Sequence, residues 1–228
     1  MTTKYDHRHN LHSSHSLKDP GSALTHLIAM IAAILCAYPL ISKSVLSGNP
    51  SAVVSMSIFI CSMILLYGAS TIYHSFDISR RVNLLLRRID HSMIFVLIAG
   101  SYTPVCLLVL HPAKGIPLLI FMWAAAATGI LVKIIFINCP HWFSSVIYIA
   151  MGWTCVFVFK PLLTTLPSAA FLWLLAGGLI YTAGGILYGL KLKIFDRLPE
   201  NFGSHEIFHL FIMGGSFCHF VFMYAYLL

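Results

Sequence analysis

Long stretches of apolar residues alternate with short polar connections along the chain. Seven such stretches lie at 22–42, 51–74, 90–110, 116–137, 142–160, 168–190 and 204–227. Each is close to the roughly 20 residues that an α-helix needs to cross the hydrocarbon core of a bilayer. Because lipid offers no hydrogen-bond partners, each stretch must satisfy its own backbone groups, as a helix does. The pattern predicts an all-α membrane protein, a bundle of seven transmembrane helices.

The residues before the first apolar stretch differ in composition from the rest. Residues 1–20 are polar, and no apolar run followed by a cleavage site of small residues occurs there, so we expect no removable signal peptide. The tail contains four histidines, which are His7, His9, His12 and His15. The longest later connections, 75–89 and 191–203, leave no room for a soluble domain. We therefore expect a polar, histidine-rich tail at 1–20 and one transmembrane domain at 21–228.

The overall composition excludes several classes of protein. Charged residues make up 9% of the chain and hydrophobic residues 59%, whereas a soluble domain carries about 25% charged residues. Such a chain cannot cover a water-facing surface, so a soluble enzyme and a disordered protein are excluded. The formal net charge of +7 does not indicate a nucleic-acid partner here, because membrane proteins concentrate basic residues on one side of the bilayer.

The distribution of basic residues predicts the orientation of the bundle. Eleven fall in the tail and the even-numbered connections, or beside them: Lys4, Arg8, Lys18, Arg80, Arg81, Arg87, Arg88, Lys133, Lys191, Lys193 and Arg197. The opposite side has three, which are Lys43, Lys114 and Lys160. Cytoplasmic connections are enriched in Lys and Arg. We therefore expect a cytoplasmic N-terminus and a C-terminus on the outside.

The cysteines show neither a disulfide framework nor a thiolate zinc site. There are six of them, none in a C-x-x-C pair: Cys36, Cys61, Cys106, Cys139, Cys155 and Cys218. Five lie inside apolar stretches, and spacing of this kind does not match a metal or disulfide motif. Our interpretation is that they are buried packing thiols.

Three histidines at the cytoplasmic ends of two helices carry the main chemical signal. His205 and His209 are four residues apart, which places them about 40° apart around a helix and about 6 Å apart along it. Both can therefore reach one metal ion, and His74 lies at matching depth on another helix. A catalytic zinc site commonly has three protein ligands and a water. His219 lies about 15 Å further along the helix and cannot share that metal.

Two further residues are candidates for catalysis, and each has a structural alternative. Asp90 opens the third apolar stretch, where it is either a helix cap or a general base that orients a zinc-bound water. Ser70 lies one turn before His74. It either donates a hydrogen bond to a developing oxyanion or serves only in helix packing.

Four short motifs identify a resemblance to a known family. They are Ser-Thr-Ile-Tyr-His at 70–74, Arg-Ile-Asp-His at 88–91, Gly-Ser-Tyr-Thr-Pro at 100–104 and His-Glu-Ile-Phe-His at 205–209. In this order and placement they resemble the hemolysin III family, the bacterial branch of the progestin and adipoQ receptor (PAQR) superfamily, which is similar to alkaline ceramidases. The resemblance runs from about residue 19 to about residue 224.

The resemblance carries expectations for individual positions. It implies that His74, His205 and His209 are zinc ligands, that Asp90 holds the zinc-bound water, and that Ser70 is the family's serine. It also implies a seven-helix bundle with a cytoplasmic N-terminus, in a bacterial cytoplasmic (inner) membrane.

One motif departs from the family. The family usually has E-x-x-N-x-x-x-H at its first helix, and the matching positions here are Asp19, Ser22 and His26. Only the histidine is unchanged. The structural alternative for His26 is solvation at the membrane interface.

Three functions remain open at this point. The first is a zinc-dependent intramembrane hydrolase of acyl-lipid amides or esters with a role in membrane lipid homeostasis, for which membrane lipids are the substrate. The second is a non-enzymatic sensor of membrane state with a structural zinc, which a closed shell of four protein ligands would favour. The third is a pore-forming hemolysin, which the scarcity of polar residues in the outer halves of the helices disfavours.

Overall fold

The computed structural model describes residues 17–137, 139–190 and 203–228. Seven helices in these residues are long and apolar enough to cross a membrane. They are α1 (Pro20–Leu46), α2 (Pro50–Ser75), α3 (Arg80–Val109), α4 (Pro112–Ile135), α5 (Trp142–Thr165), α6 (Ser168–Leu190) and α7 (Ser204–Leu227). This confirms the predicted helices and indicates an integral membrane protein. Several residues named above lie outside the described residues: Lys4, His7, Arg8, His9, His12, His15, Lys191, Lys193 and Arg197.

The third helix begins earlier than the apolar pattern predicted. It begins at Arg80 rather than at position 90, and the side chain of Ser79 caps it by accepting a hydrogen bond from Val82 N at 3.3 Å. The added turns are amphipathic, with basic residues between apolar residues at helical spacing, so a search for continuous apolar runs misses them. The apolar residues are Val82, Leu84, Leu85, Leu86 and Ile89, and all but Leu84 follow the helical spacing.

This early start changes the interpretation of Asp90. The residue lies inside α3, three turns after its first residue, rather than at the end of a helix. Its carboxylate therefore cannot cap the free N–H groups of a first turn. The helix-cap alternative for Asp90 is wrong, and the side chain needs another reason to lie in the membrane.

The fifth helix is interrupted, and a tyrosine hydroxyl forms hydrogen bonds with the backbone groups at the interruption. An α-helical part ends at Gly152, and a 3₁₀ segment (Trp153–Val158) and a short α-helix (Phe159–Thr165) follow. The Tyr102 hydroxyl donates to the Gly152 carbonyl at 2.6 Å and accepts from the Cys155 N–H at 2.8 Å. Irregular backbone is tolerated at membrane depth only when protein groups satisfy it. One side chain of α3 thus makes the break in α5 possible.

Six of the helices form a ring, and the fourth lies outside it. Around the ring, α1 packs on α2, α2 on α3, α3 on α5, α5 on α6, α6 on α7 and α7 on α1, while α4 packs on α3. Apolar side chains such as Leu35, Tyr38 and Phe157 point outward from the helices and are 70%, 81% and 86% exposed. In an integral membrane protein these side chains face lipid.

The cysteines have different environments. None of the six forms a disulfide. The interpretation as buried packing thiols holds for Cys106 and Cys218, whereas Cys61 is exposed on the surface of the bundle. Cys139, between α4 and α5, has Lys133 Nζ within 3.2 Å of its sulfur and Ser144 Oγ within 3.4 Å.

Lys133 is buried in this cluster, with 3% of its surface exposed. Its ammonium group donates to Cys139 and Ser144, and among the described residues no carboxylate forms an ion pair with it. A buried charge is stable only when it is paired. Burial alone would raise the pKa of the Cys139 thiol, but the hydrogen bonds from Ser144 and Lys133 and the lysine charge hold that pKa below its ordinary value. The neighbours of Cys139 therefore favour its thiolate form.

Replacing Lys133 by methionine is expected to slow the alkylation of Cys139 by iodoacetamide severalfold at neutral pH, since loss of the lysine charge and hydrogen bond raises the pKa of the thiol and lowers its thiolate fraction. Only the thiolate reacts, so a lowered pKa extends rapid alkylation to lower pH, and the substitution should shift the rate profile to higher pH. Mass spectrometry of the labelled peptide measures the rate. Lys133→Arg should keep most of the effect. Equal profiles for the wild type and Lys133→Met would contradict this prediction.

Candidate metal centre

Four helices meet at one end of the bundle and supply the candidate residues. These are the first turns of α1, the last turn of α2, the interior of α3 and the first turns of α7. His74 is the last residue but one of α2, while His205 and His209 lie in the first two turns of α7. All three predicted ligands therefore come to one depth.

The three histidines form a compact group. One ring nitrogen from each of His74, His205 and His209 lies within 4.8 Å of the others. The Nε2 atoms of His74 and His205 are 3.1 Å apart, close to the separation of about 3.3 Å between two ligands of a tetrahedral zinc with bonds of about 2.0–2.1 Å. His74 and His209 are buried and His205 is half-buried. This group can hold a metal ion, and its donors are those that zinc prefers.

Asp19, which caps α1, and Thr25 of α1 contact the Nδ1 atoms of two of these rings. The Asp19 carboxylate lies 2.9 Å from His74 Nδ1. The Thr25 hydroxyl lies 3.1 Å from His209 Nδ1. Each of these two residues therefore contacts a candidate ligand directly without being a candidate ligand itself.

Asp90 lies beside the group rather than within it. Among the described residues, no carboxylate belongs to the group of three histidines. Asp90 is close enough to His74 and His26 to interact with them electrostatically, and its Oδ2 lies 3.4 Å from Nδ1 of His91. His91 also donates from Nδ1 to the Arg87 carbonyl at 2.8 Å. The His91 ring bends back along its own helix turn and so lies beside the carboxylate of its neighbour.

Ser70 and His26 are buried polar residues without hydrogen-bond partners among the described residues. Ser70 is 1% exposed and His26 is 4% exposed, and neither Ser70 Oγ nor either ring nitrogen of His26 has a hydrogen-bond partner in the described part of the chain. His26 stacks on His209 with ring centroids 3.6 Å apart and planes 8° apart. The alternative that His26 is solvated at the interface is wrong, since its ring packs against a candidate ligand.

The acid next to His205 has a structural role. Glu206 Oε2 accepts a hydrogen bond from Gly203 N at 2.7 Å, and its other oxygen accepts one from Ser22 Oγ. Glu206 therefore closes the first turn of α7 and joins it to α1. An acid in the first turn of a helix stabilises the helix start in this way.

A small cavity of about 30 Å³ borders the group, enough for about two water-sized groups. Its lining includes the polar residues His26, Ser70, Asp90, His91, His205 and His209. The two residues predicted for catalysis, Ser70 and Asp90, thus face the same space as two of the three candidate ligands.

A larger cavity of about 150 Å³ adjoins the small one. The two share six lining residues: Leu66, Ile94, Tyr148, Tyr188, Phe208 and Ile212. The larger cavity extends between α2, α3, α5, α6 and α7 as far as His219, and most of its lining is apolar. His219 lines this space and is not part of the metal group, as its distance along α7 predicted.

Sequence reasoning missed the contacts made by α1. Asp19 occupies the position of an acid in the family motif, and that position was a usable signal. Thr25 gave none, because a threonine in an apolar helix most often bonds its own backbone. The contacts depend on how α1 packs against α2 and α7, and residue spacing within one helix does not contain that information.

Comparisons with known proteins identify the family of the chain. Residues 14–220 match the family described as Haemolysin-III related. The chain is 39% identical over 196 residues to Hemolysin-3 of Bacillus cereus, across 86% of this chain and 85% of that protein. It is 38% identical over 196 residues to the Hemolysin-3 homolog of Bacillus subtilis (strain 168), across 86% and 88%. The adiponectin receptor protein of Drosophila melanogaster is 24% identical over 220 residues, across 89% of this chain and 49% of that receptor. The chain therefore belongs to the hemolysin III family, which is related to the adiponectin receptors.

Proposed function

We propose that this protein is a zinc-dependent intramembrane hydrolase that acts on acyl-lipid amides or esters and serves membrane lipid homeostasis. One observation carries the proposal: two of the candidate ligands, His205 and His209, line the same small cavity as Asp90 and Ser70. That arrangement places a metal group, a carboxylate and a hydroxyl around a single space.

The ligand set supports a catalytic rather than a purely structural metal. The group consists of three histidines, and no carboxylate among the described residues completes it. Structural zinc sites usually have four protein ligands, whereas catalytic sites have three. A zinc ion held there would polarise a carbonyl group and lower the pKa of a water molecule.

The protein side chains would then supply the remaining steps. Asp90 would accept the proton of the attacking water and return it to the leaving amine or alcohol, as a general base and acid. Ser70 has a free hydroxyl in the described part of the chain. It would donate a hydrogen bond to the carbonyl oxygen as negative charge develops. His26, stacked on His209, would hold that ring in place.

The adjoining cavity indicates the substrate class. Its volume of about 150 Å³ and its apolar lining suit a hydrocarbon chain. The shared wall formed by Tyr148, Tyr188 and Phe208 would let one end of that chain reach the polar cavity. An acyl chain in the larger space would place its carbonyl carbon beside Asp90 and Ser70. We therefore favour an acyl lipid over a soluble substrate.

We also propose that this end of the bundle faces the cytoplasm, in a bacterial cytoplasmic membrane. The described basic residues at or near this end are Lys18, Arg80, Arg81, Arg87, Arg88 and Lys133, against Lys43, Lys114 and Lys160 at the other. The positive-inside tendency supports this orientation. The two Bacillus relatives support the assignment to a bacterial membrane.

Purified protein in lipid vesicles is expected to release free fatty acid from an acyl amide or an acyl ester supplied in the same bilayer. Treatment with a zinc chelator should abolish the release, and added zinc should restore it, because the histidine group holds the metal. Mass spectrometry of the fatty acid measures the reaction, beside a metal analysis of the same sample.

Vesicles without protein supply the background for this measurement. Protein that holds about one zinc per chain and releases no fatty acid above this background from either substrate class would contradict the hydrolase. The result would favour the sensor with a structural zinc.

A further inference from the structure

The first helix and its cap residue contribute none of the three candidate ligands, yet they contact two of them through the Nδ1 atoms. Asp19 contacts Nδ1 of His74 and Thr25 contacts Nδ1 of His209. In both rings the contact is to Nδ1, and in His74 the other nitrogen, Nε2, is the one that lies 3.1 Å from His205 Nε2. Such contacts decide which nitrogen of a neutral imidazole carries the proton.

The contact of Asp19 fixes the tautomer of His74. An ionised carboxylate only accepts hydrogen bonds, so His74 must carry its proton on Nδ1 to bond Asp19 at 2.9 Å. Its Nε2 then has a free lone pair, and this is the atom that lies 3.1 Å from His205 Nε2. A backbone hydrogen bond from Asp19 N to the His74 carbonyl, at 2.9 Å, holds the two residues together at a second point.

The contact of Thr25 does the same for His209. The Thr25 hydroxyl donates its proton to the Ser22 carbonyl at 2.9 Å. Its oxygen is therefore left to accept, and the His209 Nδ1 atom at 3.1 Å is the donor. The lone pair of His209 is again on Nε2. Asp19 and Thr25, at the start of α1, thus orient two candidate ligands that belong to two different helices.

We propose that Asp19 and Thr25 are positioning residues for the metal centre, which hold the tautomer and the ring orientation of His74 and His209. The inference depends on the proposed metal centre. Groups that bond the second nitrogen of a metal-binding histidine are known to raise metal affinity. The Asp19 side chain is 45% exposed, so solvent weakens its charge effect, and its hydrogen bond is the main contribution.

The segment in which this chain departs from the family motif contacts the candidate metal centre. The acid of the E-x-x-N-x-x-x-H pattern is the shorter Asp19 in this chain, and it reaches His74 because the start of α1 lies directly against the end of α2. The residue at the asparagine position, Ser22, bonds Glu206 of α7. The beginning of α1 therefore ties α2 and α7 together around the histidines.

Replacing Asp19 by alanine, or Thr25 by valine, is expected to lower the affinity for zinc about 10- to 100-fold. Competition with a chromogenic chelator measures the affinity. The visible spectrum of cobalt(II), substituted for zinc, should change as well, since it reports the ligand geometry. Thr25→Ser keeps the hydroxyl and should retain the wild-type affinity, which makes it the matched control for Thr25→Val. Asp77→Ala removes an exposed acid between α2 and α3 and should have no effect.

Measurements in a variant that already lacks His74 show whether Asp19 acts by orienting that ring or lowers zinc affinity in some other way. In a His74→Ala variant, Asp19→Ala should cause no further loss of affinity, because the ring it orients is gone. An equal loss with and without His74, or wild-type affinity in both Asp19→Ala and Thr25→Val, would overturn the inference. Neither result depends on hydrolysis. A protein that binds zinc without releasing fatty acid would contradict only the proposed activity.

Discussion

His209→Ala is expected to lose most of the bound zinc, from about one equivalent per chain to less than about 0.2. The residue is buried, its ring nitrogen belongs to the group of three, and a site with two remaining histidines is a much weaker one. Metal analysis of the purified protein after dialysis against a weak chelator measures the loss. Fatty acid release should fall with it, if the proposed activity is correct.

His219→Ala is the matched control for this prediction. It removes a buried histidine from the same helix, and that histidine packs against Tyr181 rather than against the metal group. It should keep a full equivalent of zinc. Retention of a full equivalent by His209→Ala would reject the ligand set. Unfolding temperatures of the two variants show whether a loss of metal merely follows a loss of fold.

Asp90→Asn is expected to keep the zinc and the fold while lowering fatty acid release about 10²- to 10⁴-fold, the usual contribution of a general base. Asparagine has nearly the same shape and cannot accept a proton from water. The carboxylate lies outside the group of three histidines, so its removal should leave the ligands in place. The measurement is the initial rate of release in vesicles at equal zinc content.

Two outcomes would contradict this role of Asp90. Unchanged hydrolysis would remove the residue from the mechanism. Loss of the zinc together with the activity would place Asp90 among the groups that hold the metal. Asp77→Asn offers a comparison outside the site, since Asp77 is exposed and bonds Asn83 in the connection before α3. It should leave both the metal and the rate unchanged.

Much of the fold could be predicted from the sequence because lipid restricts what a chain can do. A spanning segment must be helical and apolar, so the seven stretches identify the seven helices. The start of α3 was missed because residues 80–89 are amphipathic, and basic residues lower their mean hydropathy. The same error suggested that Asp90 caps a helix, and the observed position inside α3 removes that alternative.

The candidate site was predictable to the extent that it depends on spacing within one helix. The interval between His205 and His209 places both on one face, and depth alone suggested His74 as their companion. The orientation of the rings was not predictable, since it depends on contacts between helices. The bond from Asp19 to His74 and the stacking of His26 on His209 are of that kind.

The order of the helices along the chain has a consequence for the synthesis of the protein. His74 leaves the ribosome with α2, whereas His205 and His209 belong to α7, which is made after the other six described helices. Until α7 enters the bilayer, His74 and the carboxylate of Asp90 are in the bundle without His205 and His209. The three candidate ligands can therefore meet only after α7 has joined the bundle, and a nascent chain that stops before α7 would have one of the three.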